Sequence, residues 1–350
     1  MSIHVFTSFS YSYLDRARVL GHSLRRHHPN WTVWAVITDR PPEGFVLDPA
    51  EEPFDRVLDE LSLLGHGEAS SWLFRHDIVE ACTAVKGHAL KRILDEPDCD
   101  GVIYLDPDIA VFGSLQPVAD LLDGGASVVL TPHLLTPQTT PQAVVDNEIT
   151  PLSFGVYNLG FAGVANDPEG RRFADWWASR LDEWCYDRRD IGIFVDQKWC
   201  DLVPCLFENV CILRDPGYNV ASWNLAGRTV RIGKDGAITV NGVPLRFYHF
   251  TKLGPTGDTM TRRYAGQNVE VYEIWSWYRR EVMRHAATGV PRGWWFYGTF
   301  EDGTPIPKAA RELWRDRPDL RSSFADPRGP EFKAWLSREE PQVLEQAQRK

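Results

Sequence analysis

The segment VIYLDPDIAVF, residues 102–112, places Asp106 and Asp108 one residue apart inside an otherwise apolar run. Two ionised carboxylates about 4 Å apart repel by roughly 4 kcal/mol at an effective dielectric near 20, so such a pair holds a proton, holds a cation or lies in water. Carboxylate oxygens are hard ligands that suit Mg²⁺ or Mn²⁺, and these ions also grip phosphate oxygens. Asp-Pro-Asp is equally good turn chemistry. Position favours the metal, because the pair directly terminates the apolar VIYL, which reads as a buried strand.

The elements that must position this pair follow from the pattern along the chain. IHVFTSF is β-branched and aromatic, YLDRARVLGHSLRRHHP carries Leu14, Val19, Leu20 and Leu24 at helical spacing, and TVWAVITD is a near-continuous apolar run. After the breakers RPPEGF and EEPF, SSWLFRHDIVEACTAVKGHALKRIL resumes a helical pattern before GVIYLD. Strand and helix alternation predicts an α/β fold with a mostly parallel sheet and helices on both faces. Ligands of such sheets bind outside the carboxyl ends of the strands, where Asp106 and Asp108 fall.

Further on, ASVVLTP and VYNLGFAGVA read as strands, the second with glycines that allow close backbone approach. RRFADWWASRLDEWC reads as a helix with an aromatic face, and RTVRIGKDGAITVNGVPLRFYHF as a hairpin. From VEVYEIWSWYRREVMRHA onward the chain alternates helices with aromatic loops. The expected organisation is a catalytic domain over 1–285 and a helical extension over 286–350 packed on it.

With 350 residues, 43% hydrophobic and 12% aromatic, the chain can bury a large core. A formal net charge of −10 argues against nucleic acid as a partner, since phosphate-backbone binders need a basic footprint. The start MSIHVFTSF has no basic segment followed by an apolar one, and no window has the roughly 18 apolar residues of a spanning helix. The expected location is cytoplasmic. Six cysteines form no C-x-x-C pair, so neither a zinc cage nor a disulfide framework is expected, only reduced thiols, mostly in the core.

The order VIYLDPDIAVFGSL, VYNLGFAGV, FVDQKWCDLVP, PGYNVASWNL and FYHF, preceded by the helix EACTAVKGHAL, resembles the metal-dependent GT-A glycosyltransferases. It is nearest the family 8 type of bacterial polysaccharide assembly, over most of residues 1–255, and the ending YGTFEDGTPIPKAARELWR is similar to tails of related transferases. The resemblance implies a GT-A, Rossmann-like sheet and a nucleotide-diphosphate sugar lying across the strand ends, its diphosphate bridged by Mn²⁺ or Mg²⁺. It implies Asp106, Asp108 and His249 as the DXD-type metal ligands. It also puts Lys86 and Lys252 near the donor, Thr7 and Ser8 at the base and ribose, and Asn158 at the donor sugar. Lys252 departs from the family pattern by standing where a glycine is common. The acidic and amide groups usual beside Thr7 and Ser8 are also absent.

Asp196 and Gln197 match the Asp-Gln pair beside the anomeric carbon in retaining members, where a weak amide nucleophile favours front-face displacement through an oxocarbenium-like state. Each of these residues has a plainer reading as well. His249 could be a structural histidine, Lys86 an exposed helical lysine and Asn158 a turn residue. Asp196 could be the N-cap of a short helix that Pro204 would stop.

Tyr218 and Trp223 are candidates to stack on an acceptor sugar. WSWYRREVMRHA could touch a membrane holding a lipid-linked acceptor, at the inner face, although the net negative charge favours ordinary helix docking. The implied reaction is sugar transfer to a hydroxyl of a glycan, polysaccharide or glycolipid. The rivals are a non-catalytic sugar-nucleotide or glycan-binding module, and a haloacid-dehalogenase-type Mg²⁺-dependent phosphatase. The second lacks the Thr or Val common two residues after the second aspartate, where Ala110 stands.

Overall fold

The computed structural model describes residues 1–64 and 69–345, so the last five residues of the expected extension, 346–350, lie outside the described residues. Its centre is a seven-stranded sheet. The chain begins with β1 (Ile3–Phe9), α1 (Leu14–His27), β2 (Thr32–Ile37) and β3 (Arg56–Asp59), followed by α2 (Ile78–Leu94) and β4 (Gly101–Leu105). Then come β5 (Ile109–Val111), α3 (Gln116–Asp123), β6 (Val128–Pro132), β7 (Tyr157–Ala165), α4 (Pro168–Trp184), β8 (Val210–Ile212) and β9 (Phe247–His249). Last are α5 (Pro255–Ala265), α6 (Val269–Arg284) and the short helices of the C-terminal extension.

The strand order is β8-β6-β7-β4-β1-β2-β3, with every neighbouring pair parallel except the two that flank β7. The expected mixed α/β architecture with a mostly parallel sheet is therefore present, with one reversed strand beside β4. Alternation sorts the side chains. Phe6, Trp34, Val102 and Tyr104 join the core under α2 and α4, while Val5, Val33, Ile103 and Leu105 join the core under α1 and α3.

The long predicted helix from Ser70 to Leu94 is broken at 75–77. Asp77 caps α2 by accepting the Val79 and Glu80 N–H groups, while the Glu80 carboxylate accepts the Asp77 N–H. The predicted hairpin over 228–250 becomes three short strands, Val230–Ile232, Ile238–Val240 and Val243–Pro244, followed by β9.

Helix α6 buries Val271, Ile274, Trp275 and Tyr278, with Tyr278 stacked on Phe250 at 3.8 Å. Trp275, Tyr278 and Val282 of WSWYRREVMRHA are thus covered by the protein, while Met283 is exposed. Among the described residues no helix is long and apolar enough to cross one. The extension packs Trp314, Phe332 and Leu336 around Phe74 of the body. All six cysteines are free thiols, Cys99, Cys185 and Cys200 fully buried and Cys205 exposed.

Candidate metal and ligand site

Beyond the carboxyl ends of β1 and β4 lies a cavity of about 660 Å³, within the range of small-molecule sites. Its floor is set by strand period. Tyr104 and Asp106 are two apart and so share a face, which lets the Tyr104 hydroxyl donate to Asp106 Oδ1 at 2.5 Å. After Pro107 turns the chain, Asp108 enters β5, which runs antiparallel to β9 with Ile109 opposite His249. The Phe250 N–H closes this corner on the Asp108 carbonyl at 2.8 Å. Register alone thus carries His249, 141 positions after Asp108 by number (249 − 108), to the carboxylates.

His249 Nε2 lies 3.1 Å from Asp108 Oδ1 and 3.6 Å from Asp106 Oδ2. One ligand atom from each of Asp106, Asp108 and His249 falls within 4.8 Å of the others. Burial disfavours charge on His249, but Asp108 and Asp106 outweigh it and raise the imidazole above its ordinary range. Burial likewise opposes ionisation of Asp108, and His249 reverses this, holding the carboxyl below its ordinary range.

The ring is fixed from behind. Asn219 donates its amide N–H to Thr131 Oγ1 at 2.9 Å and to Asn158 Oδ1 at 3.0 Å, which leaves its own Oδ1 to accept from His249 Nδ1 at 3.3 Å. That tautomer leaves Nε2 facing the carboxylates. Gly160 makes room, since a Cβ there would lie 2.5 Å from His249 Cε1. The close approach expected from the glycines of VYNLGFAG is the approach of this ring.

Lys86 is 2% exposed, and its ammonium bonds Asp196 Oδ2 at 2.7 Å, the Leu159 carbonyl at 3.1 Å and Asp106 Oδ1 at 3.2 Å, 4.0 Å above the Tyr104 ring. An ammonium has three donors, so all are engaged. Burial opposes this charge too, yet Asp106 and Asp196 raise Lys86 well above the usual lysine range. Burial lifts Asp196 above its ordinary value against the pull of Lys86.

Two plainer sequence readings are thereby corrected. Lys86 is not an exposed helical lysine, because its face of α2 is packed on the sheet. Asp196 caps no helix, because its carboxylate goes to Lys86 and the following 3₁₀ turn, Lys198–Leu202, has no side-chain cap.

Gln197 accepts the Leu159 N–H at Oε1 (3.1 Å) and donates Nε2 to the Phe154 carbonyl at 3.0 Å. Asn158 spends Oδ1 on Asn219 and the Gly160 N–H, and Nδ2 on His133 Nε2. The Ser8 hydroxyl donates to the Cys82 carbonyl at 2.6 Å and meets the Tyr104 hydroxyl at 3.2 Å. Lys252 is exposed on the cavity rim, with no carboxylate within ion-pair distance among the described residues. Ser8, Lys86, Asp106, Asp108, Asn158, Asp196, Gln197, His249 and Lys252 all line one cavity.

Thr7 does not line it: it is buried short of the end of β1, where Ser8, Phe9 and Ser10 reach the cavity. Tyr218 is packed between Phe161 and Phe247 in the core, while Trp223 lines the cavity with its ring 5.4 Å from that of His249. The sequence reading missed Tyr104, Asn219 and His133. Period two from Asp106 could have found Tyr104, and no sequence signal marks the other two.

No family model matches the sequence. Over 177 residues the chain is 29% identical to the uncharacterized protein YfnF of Bacillus subtilis strain 168, a match that spans 50% of this chain and 57% of that relative's length. It is 23% identical over 256 residues to YfnD of the same strain, covering 71% of this chain and 78% of YfnD. Among solved structures it is similar to the galactosyltransferase LgtC in complex with donor and acceptor sugar analogues, at 16% identity and TM-score 0.47, covering 83% of this chain and 98% of that one. It is also similar to mouse xyloside xylosyltransferase 1, at 13% identity and TM-score 0.44, over 73% of this chain and 99% of that one.

Proposed function

We propose that this chain is a GT-A-type, metal-dependent glycosyltransferase that moves a sugar, with retention of configuration, from a nucleotide-diphosphate sugar to a hydroxyl of a glycan or lipid-linked acceptor. The observation that carries the reading is the convergence of Asp106, Asp108 and His249 at the end of β4 and β9, facing one cavity. The donor set fits a divalent ion. It offers two carboxylates and an imidazole whose far nitrogen is tied to Asn219, and the nitrogen ligand favours Mn²⁺ over Mg²⁺. Lys86 is the ammonium partner of Asp106 and Asp196, while Asp108 is paired with His249, whose proton a divalent ion would replace.

When bound, the ion supplies positive charge where the leaving nucleoside diphosphate gathers negative charge. The chain's own residues do the rest. Asp106, Asp108 and His249 hold the ion, and the free ammonium of Lys252 on the rim meets the diphosphate. Lys86 holds Asp106 and Asp196 in place rather than contacting the donor, since its donors are spent. Gln197, with its amide fixed at both ends, keeps one lone pair of Oε1 for the electron-poor anomeric carbon. The acceptor proton passes to the departing phosphate oxygen on the same face, with no separate base.

The test is hydrolysis and transfer across a panel of nucleotide sugars with Mn²⁺, Mg²⁺ or EDTA, following the released nucleoside diphosphate and the product anomer by NMR. Cleavage of one donor that needs the metal, retains configuration and is lost in Asp108→Asn is the expected result. Metal-independent cleavage, or inversion, overturns the corresponding part. Tight nucleotide-sugar binding without turnover on any acceptor favours the binding module.

A further inference from the structure

Five described non-glycine residues have a left-handed backbone: Val195 (φ 36°), Asn209, Asn219, Asn241 and Lys252. Asparagine tolerates this conformation, and Lys252 lies in an exposed turn. Val195 does neither. It is β-branched, 4% exposed, and directly precedes Asp196 and Gln197. A β-branched residue at positive φ is a genuine outlier, and such strain persists only where the surroundings over-determine it.

The surroundings here are specific. The Val195 N–H donates to the Tyr186 carbonyl at 2.9 Å, closing the short hairpin of Asp187–Arg188 with Ile193–Phe194. Its side chain belongs to the core beneath α2 and α4, and the next carbonyl, that of Asp196, accepts the Trp177 indole N–H at 3.3 Å. Directly after this kink, two successive side chains act on one residue of β7. Asp196 grips Lys86, which bonds the Leu159 carbonyl, and Gln197 accepts the Leu159 N–H. In extended backbone successive side chains diverge to opposite faces. Gln197 is helical rather than extended (φ −73°, ψ −47°), which brings the two side chains to one side, and the reversal at Val195 points that turn at β7.

We propose that Val195 is a positioning residue whose left-handed backbone aims Asp196 and Gln197 together at β7 and, through the Asp196–Lys86–Asp106 chain, sets the carboxylate that faces the cation. The last link rests on the metal-site reading above; the alignment on β7 does not. Glycine would adopt the angle freely but would give up the buried side chain that locks the hairpin.

The comparison that isolates the backbone is Val195→Ala against Val195→Gly, since both lose the two Cγ methyls and only alanine keeps the Cβ that the angle strains. At an ordinary position glycine is the less stable of the two. At Val195 the order inverts, with Val195→Gly melting about 2 °C above Val195→Ala. The released backbone also loosens the alignment. In Val195→Gly the Leu159 amide exchanges with deuterium faster than in Val195→Ala, and the Mn²⁺ dissociation constant, read by electron paramagnetic resonance, rises about ten-fold relative to Val195→Ala. A Val195→Ala variant that melts higher shows that no strain is stored. Equal Leu159 exchange and equal Mn²⁺ affinity show that the strain aims nothing, and either result overturns the proposal. If the native protein binds no Mn²⁺, the metal-site reading fails and the link to Asp106 with it, while melting order and Leu159 exchange still decide the role of Val195.

Discussion

At the residue scale, the cluster depends on two positions with no reactive atom of their own. A Cβ at Gly160 would fall 2.5 Å from His249 Cε1 and 2.8 Å from Asn158 Oδ1, so Gly160→Ala must push the imidazole away from the aspartates. We expect Gly160→Ala to fold, with an unchanged circular dichroism spectrum, and to bind Mn²⁺ at least about ten-fold more weakly by titration. Tyr104→Phe removes the hydroxyl donated to Asp106 and should also weaken Mn²⁺ binding, by a smaller factor, because Lys86 still holds that carboxylate. The candidate ligands Asp106 and Asp108 were legible because carboxylates at the end of an apolar strand have few other reasons to be there. Asn219 was not, because its importance lies in contacts with Thr131, Asn158 and His249, 88, 61 and 30 residues away in the chain.

At the element scale, the excursion from His133 to Val156 between β6 and β7 forms one wall of the cavity, and α5 contributes to the opposite rim. One contact joins them: Asp146 accepts from Arg263 and from the Tyr264 hydroxyl, the latter at 2.7 Å. An exposed pair of this kind contributes little to global stability, up to about 1 kcal/mol. Its influence should be local. Asp146→Asn is expected to leave the melting temperature within about 2 °C of the native value while amide exchange across residues 141–154 and 255–265 accelerates. Faster exchange in only one of the two segments would show that they are not coupled.

Strand and helix order was readable at this scale because apolar period and breakers are local signals. The break at residues 75–77 was half-readable, since Asp77 followed three residues later by Glu80 is a capping box in plain sequence. The carboxylate of Asp196 was misread because local capping rules say nothing of a lysine 110 residues distant.

At the scale of the whole molecule, the segment after residue 285 braces the body. Lys308 pairs with the buried Glu80 carboxylate at 2.8 Å, Arg311 bonds the Phe74 carbonyl at 3.1 Å, and the Phe296 N–H donates to Asp39. Removing residues 286–350 would uncover Phe74 and leave Glu80 without its cation. The expected result is an aggregating or insoluble chain, checked by expression and size-exclusion chromatography.

Burial holds several histidines below their ordinary range, His28 and His76 among them, and these respond to acid. Burial holds His28 down to about 4, and its Nε2 accepts the Leu115 N–H at 2.7 Å, a bond the protonated ring cannot make. Burial holds His76 down to about 3. As pH falls below the unfolded value near 6.5, the unfolded chain takes up protons that the folded chain refuses, so this stability is complete above pH 6.5 and declines toward about pH 4. The histidine share of the response lowers the melting temperature between pH 7 and pH 5, while Asp39, which burial raises to about 7, acts the other way, so the change with acid should be shifted upward in His28→Gln.

The saturated ammonium of Lys86 has a consequence for the protein's life between encounters with a ligand. It acts as a resident counter-ion that cannot diffuse away, neutralising part of the acidic cluster whether or not a divalent ion is present. A divalent ion held as proposed would therefore come and go with each ligand while the scaffold stays folded. Stripping it with EDTA should abolish nucleotide binding yet shift the melting temperature by no more than a few degrees, unlike domains whose fold depends on their metal. Replacing Lys86 with Met would tie folding to metal supply, because buried Asp196 would lose its ammonium and Asp106 would keep only His249 and the exchangeable ion to face.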